Sequence, residues 1–368
     1  MFPREVISVG SLVLRVPGAD DADAIVATCD DPVSARFLPL LPSPYTRQDA
    51  LAYLARAEEK WDEGAAEFAI TQDGRYVGAV GVSAPDGWGT VRLGYLVSPW
   101  ARGKGVASAA ARGLSDWLLD HGVARVELEA EVENVASLRA AYRSGFTEEG
   151  RRRDAKTLRD GRRTDVVTFG RIGRDPAGLW EPFLPFFAGG ELSDGVVCLT
   201  PMTVDDAGAF HRMLQEPSVA EYGVGAANSP ADDERRCRYT GYFWVSGQRV
   251  ELAIRDAGTG EFAGHIQLVQ IVPEFGQAMV GYSLTERFRG RGFMTRAVRL
   301  LTGWAFAETP LHRIVAGTEV SNTASQAVLE RAGFVREGMR HKLLPKAGGG
   351  HADELCWVLM RPDAGEKS

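Results

Sequence analysis

The sequence has 368 residues, of which 45% are hydrophobic and 25% charged, a balance typical of a globular protein long enough for two domains. It contains no run of 18 apolar residues and no basic N-terminal segment followed by an apolar stretch, so we predict no membrane partner, no signal peptide and a cytoplasmic location. The formal net charge of −7 argues against a nucleic-acid partner and is compatible with an amine substrate, because an acidic surface attracts cations.

The predicted elements of the first half alternate between strands and helices. EFAITQDGRYVGAVGVS predicts two strands around the turn Asp73-Gly74, and TVRLGYLVSP predicts a third strand. Gly105 to Asp120 predicts a helix, because apolar residues recur at helical spacing. ARVELEAEV, a short helix from Ser137 to Ser144 and DVVTFGRI follow. Strands that flank each helix predict an α/β fold, an α+β arrangement around a mixed sheet.

The second half repeats the first. GYLVSPWARGKGVASAAARGLSDW begins at Gly94, and GYSLTERFRGRGFMTRAVRLLTGW begins at Gly281, an offset of 187 residues. Further along, the offset becomes 188, from Asn134 to Asn322. A register broken by only one inserted residue indicates two copies of one fold.

The segment between the copies is rich in glycine, proline and aromatic residues. We predict domains at 1–173 and 193–368, joined by a linker at 174–192 whose prolines exclude a regular helix. Its aromatic side chains are too apolar for a free linker, so we expect them to pack at the interface between the domains. These side chains are Trp180, Phe183, Phe186 and Phe187.

A glycine-rich segment joins a strand to a helix in each half. It reads RGKGVA from Arg102 and RGRGFM from Arg289. Glycines let the backbone approach a ligand closely, and the free N–H groups and dipole of a helix N-terminus favour a pyrophosphate. The nucleotide-binding GxxxxGK[ST] pattern fails because Lys104 precedes Gly105, and the GxGxxG pattern fails because neither copy has its third glycine.

A third pattern, R-x-x-G-x-A or G, is met by Arg102, Gly105 and Ala107. Here the chain resembles the GNAT superfamily of acetyl-CoA-dependent N-acetyltransferases. The second copy has Met294 at the last position, which is similar to the ribosomal-protein alanine acetyltransferase (RimJ/RimL-like) branch. A string typical of that branch occurs twice, as Asn134, Ser137, Gly145, Phe146, Glu149 and Gly150, and as Asn322, Ser325, Gly333, Phe334, Glu337 and Gly338.

The resemblance implies two tandem GNAT domains that use acetyl-CoA, or another acyl-CoA, as cosubstrate and no metal. Strands Leu93–Ser98 and Val280–Thr285 would bind the pantetheine arm, and the amides of 102–107 and 289–295 would hold the pyrophosphate. An asparagine in each half would lie beside the pantetheine, where two strands diverge. The implied binding residues are Leu96, Val97, Arg102, Gly103, Lys104, Gly105, Val106, Ala107 and Asn134, and Leu284, Thr285, Arg289, Gly290, Arg291, Gly292, Phe293, Met294, Thr295 and Asn322.

Attack on a thioester requires a neutral amine, whereas a free alkylamine has a pKa of about 10. A carboxylate must therefore take the proton, directly or through water. The tetrahedral oxyanion needs a donor, which we expect to be a backbone N–H of Leu96 or Val97 in the first half and of Leu284 or Thr285 in the second.

Carboxylates on the strands are the candidate bases. Glu131 and its twin Glu319 precede the asparagines, and Glu129 lies on the same strand face as Glu131. Glu67 and Glu251 also correspond between the halves. Each of these carboxylates could equally be a solvated strand residue.

The acid that protonates the leaving thiolate is not a conventional one. Many GNAT enzymes use a tyrosine seven residues after the asparagine, where this chain has Ala141 and Leu329. Tyr142 is one position away and is predicted to pack rather than react. Ser137 and Ser325 match a serine proposed in relatives that lack the tyrosine, although each could instead be a helix N-cap.

The acceptor is set by variable loops and stays open between a small molecule, a peptide and a protein N-terminus. One alternative keeps the fold and uses a longer acyl chain, carried by coenzyme A or by an acyl carrier protein. A basic cluster would favour that carrier, and the candidate, equally interpretable as a solvated loop, comprises Arg151, Arg152, Arg153, Arg159, Arg162 and Arg163. A second alternative is a non-catalytic acyl-CoA-binding protein.

Overall fold

The structure is a computed structural model that describes residues 2–176, 182–223, 228–346 and 349–362. The chain divides into two compact units, Met1–Glu181 and Pro182–Ser368. Within the described residues, each unit contains one eight-stranded mixed sheet with helices, as the sequence predicts. The boundaries at 174 and 192 stay a prediction.

The first unit orders its strands β1-β2-β3-β4-β5-β6-β8-β7, and only β5 and β6 run parallel. Its strands are β1 (Ile7–Val9), β2 (Leu12–Arg15), β3 (Ala66–Gln72), β4 (Arg75–Val82), β5 (Thr90–Val97), β6 (Arg125–Glu131), β7 (Thr147–Thr157) and β8 (Arg163–Arg171). Its helices are α1 (Ala22–Cys29), α2 (Pro32–Phe37), α3 (Arg47–Asp62), α4 (Val106–Asp120) and α5 (Val135–Arg143).

The second unit repeats this topology in the order β9-β10-β11-β12-β13-β14-β16-β15. Its strands are β9 (Leu192–Ser193), β10 (Val197–Pro201), β11 (Val250–Asp256), β12 (Phe262–Val272), β13 (Gln277–Leu284), β14 (Arg313–Glu319), β15 (Val335–Pro345) and β16 (His351–Met360). Its helices are α6 (Ala207–Leu214), α7 (Pro217–Ala220), α8 (Pro230–Val245), α9 (Phe293–Glu308) and α10 (Thr323–Arg331). Strands β13 and β14 form its parallel pair.

Local sequence explains the best-defined elements. Helix α4 buries Ala110, Leu114 and Leu118 completely on one face, which is the spacing that predicted it. The turn between β3 and β4 places Asp73 at φ 50° and Gly74 at φ 75°, the left-handed conformation that a two-residue hairpin requires.

The parallel strands of each unit separate before they end. Strand β5 pairs with β6 only from Thr90 to Arg92, although it continues to Val97. Strand β13 pairs with β14 only from Gln277 to Met279 and continues to Leu284. We call the space between β5 and β6 the first gap and the space between β13 and β14 the second gap. In each unit the glycine-rich segment follows directly after the strand that borders the gap.

The interpretation of the arginine cluster as a solvated loop is wrong. Arg151 and Arg152 lie in strand β7, where Arg151 Nε is 3.3 Å from Asp165 and Arg152 is 2.5 Å from Glu129. Around the β7–β8 turn, Arg159 donates to the carbonyls of Ala35, Leu38 and Leu41, Arg162 binds Glu133, and Arg163 donates to the Asp154 carbonyl. Five of the six arginines thus have partners in their own unit.

The aromatic residues predicted at the domain interface contribute to the second unit. Phe187 is buried in the core of that unit, and Phe183 and Phe186 pack against the same core. Phe186 stacks on Trp244 with ring centroids 4.7 Å apart. Trp180 lies outside the described residues. In that described part, no helix has both the length and the hydropathy needed to cross a membrane.

Candidate active sites

Each glycine-rich segment forms a left-handed turn that opens a helix. Gly103 and Gly105 have φ of 75° and 78°, and Gly290 and Gly292 have φ of 71° and 77°. All four are exposed, and a Cβ added to any of them would meet no atom within 4 Å. Neither α4 nor α9 has a side-chain cap, so the amides of its first turn remain available to an anion. The turns therefore fit a diphosphate group.

The amides available to an anion begin one residue later than predicted. The Arg102 amide donates to Pro99 at 3.5 Å, and the Arg289 amide donates to Glu286 at 3.0 Å. Both belong to the short helical turn before the glycines, which satisfies them internally. The predicted contribution of Arg102 and Arg289 amides to the pyrophosphate site is therefore wrong, and the free amides start at Gly103 and its twin.

Several side chains of these segments brace the turns. Arg102 Nε donates to the Val97 carbonyl at 3.3 Å, and one of its terminal nitrogens lies 2.6 Å from Asp31. Arg289 Nε donates likewise to the Leu284 carbonyl at 3.2 Å. In each unit, the arginine thus ties the glycine turn to the strand that borders the gap.

The other side chains of the predicted segments point elsewhere. Lys104 Nζ donates to the Trp100 carbonyl at 3.0 Å, and the Arg291 guanidinium lies over the Phe293 ring at 4.9 Å. Val106, Phe293 and Met294 are buried, whereas Ala107 and Thr295 are half-buried. For these residues a role in phosphate binding rests on the backbone alone.

Strand alternation decides which amide of the first unit faces the gap. The Ser98 amide donates to Val77 on β4 at 3.0 Å. In an antiparallel pair, adjacent residues point their amides to opposite sides. The Val97 amide therefore faces the first gap, whereas the Leu96 amide faces β4, opposite Ala79. Val97, not Leu96, is placed to donate to an oxyanion.

The second unit corrects one predicted donor. The Thr285 amide donates to Ala263 on β12 at 2.9 Å, so Thr285 cannot serve an oxyanion. Alternation turns the Leu284 amide toward the second gap. The wrong prediction arose because Thr285 is the twin of Ser98 at the offset of 187 residues, and not of Val97.

The asparagines cap helices at the edge of each gap. Asn134 Oδ1 accepts from the Ser137 amide at 3.1 Å, and Asn322 Oδ1 accepts from the Ser325 amide at 3.1 Å. The asparagine is therefore the N-cap, and the interpretation of either serine as the N-cap is wrong.

A tyrosine from the neighbouring strand binds each serine. Tyr95 Oη lies 3.0 Å from Ser137 Oγ, and Tyr282 Oη lies 2.9 Å from Ser325 Oγ. Burial raises the pKa of Tyr95 and, despite the Ser325 hydrogen bond, raises the pKa of Tyr282 to about 12. Both hydroxyls thus hold their protons at neutral pH. Sequence reasoning assigned these tyrosines no role, although Gly-Tyr recurs at the offset of 187 residues.

The position of the conventional acid is closed. Ala141 and Leu329 are fully buried. Tyr142 packs edge-on against Phe169 at 5.2 Å and donates to Glu148, which confirms its predicted packing role.

The candidate bases before the asparagines are ion-paired. Glu131 is only 4% exposed and binds Lys156, so its interpretation as a solvated strand carboxylate is wrong. Glu319 lies 3.2 Å from Lys346 and accepts from Ser321 at 2.9 Å. A base role for either requires its lysine to move away, and both roles stay predictions.

Glu129 has no acidic twin, because position 317 is glycine. In the second unit, the carboxylate comes instead from Glu354 on the neighbouring strand β16, and it lies 3.1 Å from Arg340. A Cβ added to Gly317 would approach Glu354 Oε1 to 1.9 Å. Arg340 is the twin of Arg152, so each unit keeps a carboxylate–arginine pair but takes the carboxylate from a different strand.

The twin carboxylates Glu67 and Glu251 differ in their surroundings. Glu67 lies 2.5 Å from Lys60 and 3.4 Å from Tyr53 Oη. The Glu251 side chain is fully buried, 2.8 Å from Arg236 and 3.1 Å from Arg249.

Burial opposes the charge of Glu251, but His265 and the two guanidiniums outweigh it and lower the pKa of its carboxyl to about 2. A carboxylate held so firmly ionised is a weak base. Glu251 is therefore a poor candidate for the direct proton acceptor.

Glu251 is expected to make the second unit sensitive to acid. A carboxyl whose pKa falls from 4.5 in the unfolded chain to about 2 in the folded one stabilises the fold above pH 4.5, and this stabilisation is lost as the pH falls toward 2. We expect the free energy of unfolding to fall by about 2 kcal/mol across this window. Urea denaturation at pH 5 and pH 2.5 would measure it. Glu251→Gln should flatten that pH dependence, while Glu274→Gln at an exposed site should not; equal slopes for both variants would contradict the assignment.

The fold and the two gap sites define a class of protein. A family model described as Acetyltransferase (GNAT) domain matches residues 11–147 and 197–335. The chain therefore belongs to the GNAT acetyltransferase family and contains the domain twice, which confirms the resemblance predicted from the glycine-rich segments.

Particular relatives are similar to one half of the chain. Probable N-acetyltransferase YjcK of Bacillus subtilis (strain 168) is 36% identical over 138 residues, which are 33% of this chain and 76% of that protein. The [Ribosomal protein uS5]-alanine N-acetyltransferase of Escherichia coli (strain K12) is 26% identical over 144 residues, 36% of this chain and 74% of that protein. The solved structure of Mycobacterium smegmatis RimJ in complex with CoA-disulfide covers 51% of this chain and 93% of its own at 22% identity, with a TM-score of 0.45.

Proposed function

We propose that this protein transfers an acyl group, acetyl in the first instance, from acyl-CoA to a primary amine. The observation that carries the proposal is a glycine turn with unpaired amides beside a gap in the sheet, built twice from different side chains. A diphosphate fits the turn and an extended pantetheine arm fits the gap. Among the described residues, no group of three or more acidic, cysteine or histidine side chains is arranged to bind a metal ion.

The residues at each gap can support acyl transfer. The Val97 or Leu284 amide would donate to the oxygen that becomes negative when the amine attacks the thioester carbon. The Tyr95–Ser137 pair, or the Tyr282–Ser325 pair, would supply a proton to the departing sulfur. Both tyrosines are protonated at neutral pH, as this role requires.

The relatives favour a peptide or protein N-terminus as the acceptor, because one of them is named for the alanine of a ribosomal protein. Small-molecule amines remain the other acceptor class. Coenzyme A is the better-supported acyl carrier, because Arg151, Arg152, Arg159, Arg162 and Arg163 are already engaged within the first unit and offer no free basic patch to a carrier protein.

Thiol release in the presence of amines tests the proposal. The protein would be mixed with acetyl-CoA, malonyl-CoA or a long-chain acyl-CoA and with a panel of primary amines, which includes short peptides that begin with alanine or serine. We expect thiol release that depends on the amine, with mass spectrometry showing one added acyl group per acceptor. Coenzyme A binding without turnover by any pair would instead support an acyl-CoA-binding protein.

The tyrosine–serine pairs are expected to affect turnover rather than binding. The double variant Tyr95→Phe/Tyr282→Phe should lower kcat by about tenfold, at the low end of the range for general acid catalysis, and leave the KM for acetyl-CoA within about twofold. The matched control is Tyr142→Phe, which removes a hydroxyl bonded to Glu148 away from the gap. Steady-state kinetics would decide, and an unchanged kcat in the double variant would exclude the pairs as acids.

A further inference from the structure

A polar row crosses three strands of the second unit beside its gap. His265 on β12 lies directly opposite Ser283 on β13, so the two side chains share one face of the sheet. Opposite residues in such a pair have Cα atoms about 5.5 Å apart, within reach of their side chains. On the other side, His265 Nε2 lies 3.4 Å from Glu251 Oε2. The row thus runs from Ser283, next to the gap-facing Leu284 amide, to a buried carboxylate.

The histidine in this row is buried without a hydrogen-bond partner for one nitrogen. His265 is 4% exposed, and its ring lies edge-on to Phe210 of α6 at 5.1 Å. The contact with Glu251 is too long and poorly aligned for a hydrogen bond, so Nε2 has no hydrogen-bond partner among the described residues. A buried polar atom without a partner is destabilising and calls for a functional explanation.

The first unit has no such row. The twin of His265 is Ala79, paired with Leu96, which is the twin of Ser283. Both side chains pack with the apolar cluster between α1, α3 and the sheet. The two units therefore share the glycine turn and the tyrosine–serine pair but differ on the opposite face of the sheet.

We propose that His265 accepts the proton of the attacking amine through Ser283, and hence that the C-terminal unit carries the turnover. The proposal rests on the proposed acyl transfer and assigns it to one gap. Side chains alternate along β13, so Ser283 and Tyr282 lie on opposite faces. The proton acceptor and the proton donor would then flank the thioester from two sides.

The step balances as follows. The nitrogen lone pair forms a bond to the thioester carbon, and the carbon–sulfur bond breaks with its electron pair on sulfur. The ammonium proton passes to Ser283 Oγ as the Ser283 hydroxyl proton passes to His265. The sulfur takes a proton from the Tyr282–Ser325 pair. Exchange with water returns the proton from His265 and restores the donor pair, and the products are an amide and a free thiol.

The charges around His265 favour a neutral ring. Burial lowers the pKa of His265, Glu251 on β11 raises it in part, and Arg236 on α8 and Arg249 before β11 lower it further. Phe210 faces the ring from α6, and His211 of α6 is bonded to Asp233 of α8 at 2.7 Å. An unprotonated imidazole at neutral pH can accept a proton.

The test compares His265→Gln and Ser283→Ala with the control His211→Gln, using acetyl-CoA and the amine of the panel that the unsubstituted protein acetylates fastest. At pH 7 we expect His265→Gln to lower kcat by about 10²-fold, the lower bound for loss of a general base. Coenzyme A affinity and stoichiometry by calorimetry should not change. The deficit should shrink as the pH approaches about 10, where the free amine is neutral without help. Ser283→Ala should show a smaller loss with the same pH dependence, and His211→Gln should retain kcat.

Several outcomes would overturn the assignment. One is an unchanged kcat and pH profile in His265→Gln; another is turnover that survives Gly292→Ala and is lost in Gly105→Ala. A loss of kcat that is equal at pH 7 and pH 10 would indicate a purely structural role. If His265→Gln does not fold, Ser283→Ala decides by the same pH criterion. If the unsubstituted protein acylates no amine, the proposed function itself has failed and the assignment falls with it; turnover with an unaffected His265→Gln refutes the assignment alone.

Discussion

Replacing Gly292 with alanine is expected to abolish coenzyme A binding in the second unit while leaving that unit folded. An added Cβ meets no protein atom, so the only folding penalty is the strain of a φ near 77°, about 1 kcal/mol. The methyl group would instead occupy the space in which a diphosphate approaches the amides. Loss of two charge-assisted hydrogen bonds should weaken binding by about 10²-fold or more.

Isothermal titration calorimetry measures this directly. The unsubstituted chain should bind two coenzyme A molecules, Gly292→Ala or Gly105→Ala should bind one, and the double variant none. Gly303→Ala is the matched control, because Gly303 lies inside α9 with equally open space around it and no positive φ. Retention of two sites in the double variant would refute the assignment of the glycine turns.

Truncation of Trp244 is expected to unfold the second unit at a much lower temperature. The indole is 1% exposed, stacks on Phe186, meets Phe187 edge-on at 4.9 Å and donates to the Leu184 carbonyl at 3.0 Å. Trp244→Ala should cost about 3–5 kcal/mol. In a unit of this size, that corresponds to a fall in Tm of about 10 °C or more.

Differential scanning calorimetry would resolve this change. Trp88→Ala is the control, because Trp88 is 87% exposed and its loss should leave Tm within about 1 °C. A small effect of Trp244→Ala would mean that residues 183–187 are not part of the second core, contrary to the packing in the structure.

The sequence predicts those parts of the fold in which local chemistry and the final structure agree. The helix from Val106 is marked by its apolar face, the β3–β4 turn by Asp73-Gly74, and the duplication by its register. Strand β7 was missed because its central residues, Arg151 to Arg153, are charged and mostly exposed. Their place in the sheet depends on pairing with β8, which a single sequence does not reveal.

The site shows the same limit more sharply. The glycine turns follow from local pattern, whereas the amide that faces each gap depends on which strand pair is hydrogen-bonded. That is why Thr285 was chosen and Leu284 is the better donor. His265 gave no signal at all, because its partners Glu251 and Ser283 come from two other strands.

The different origins of the carboxylate in the Glu129–Arg152 and Glu354–Arg340 pairs restrict how the halves can be engineered. Importing glutamate at position 317 to copy the first half would collide with the acid already supplied from β16. Chimaeras of the two domains should therefore exchange positions 317 and 354 together, as one unit of inheritance. The same reasoning suggests that the copies have drifted by paired, compensating changes, so that neither now serves as a spare part for the other.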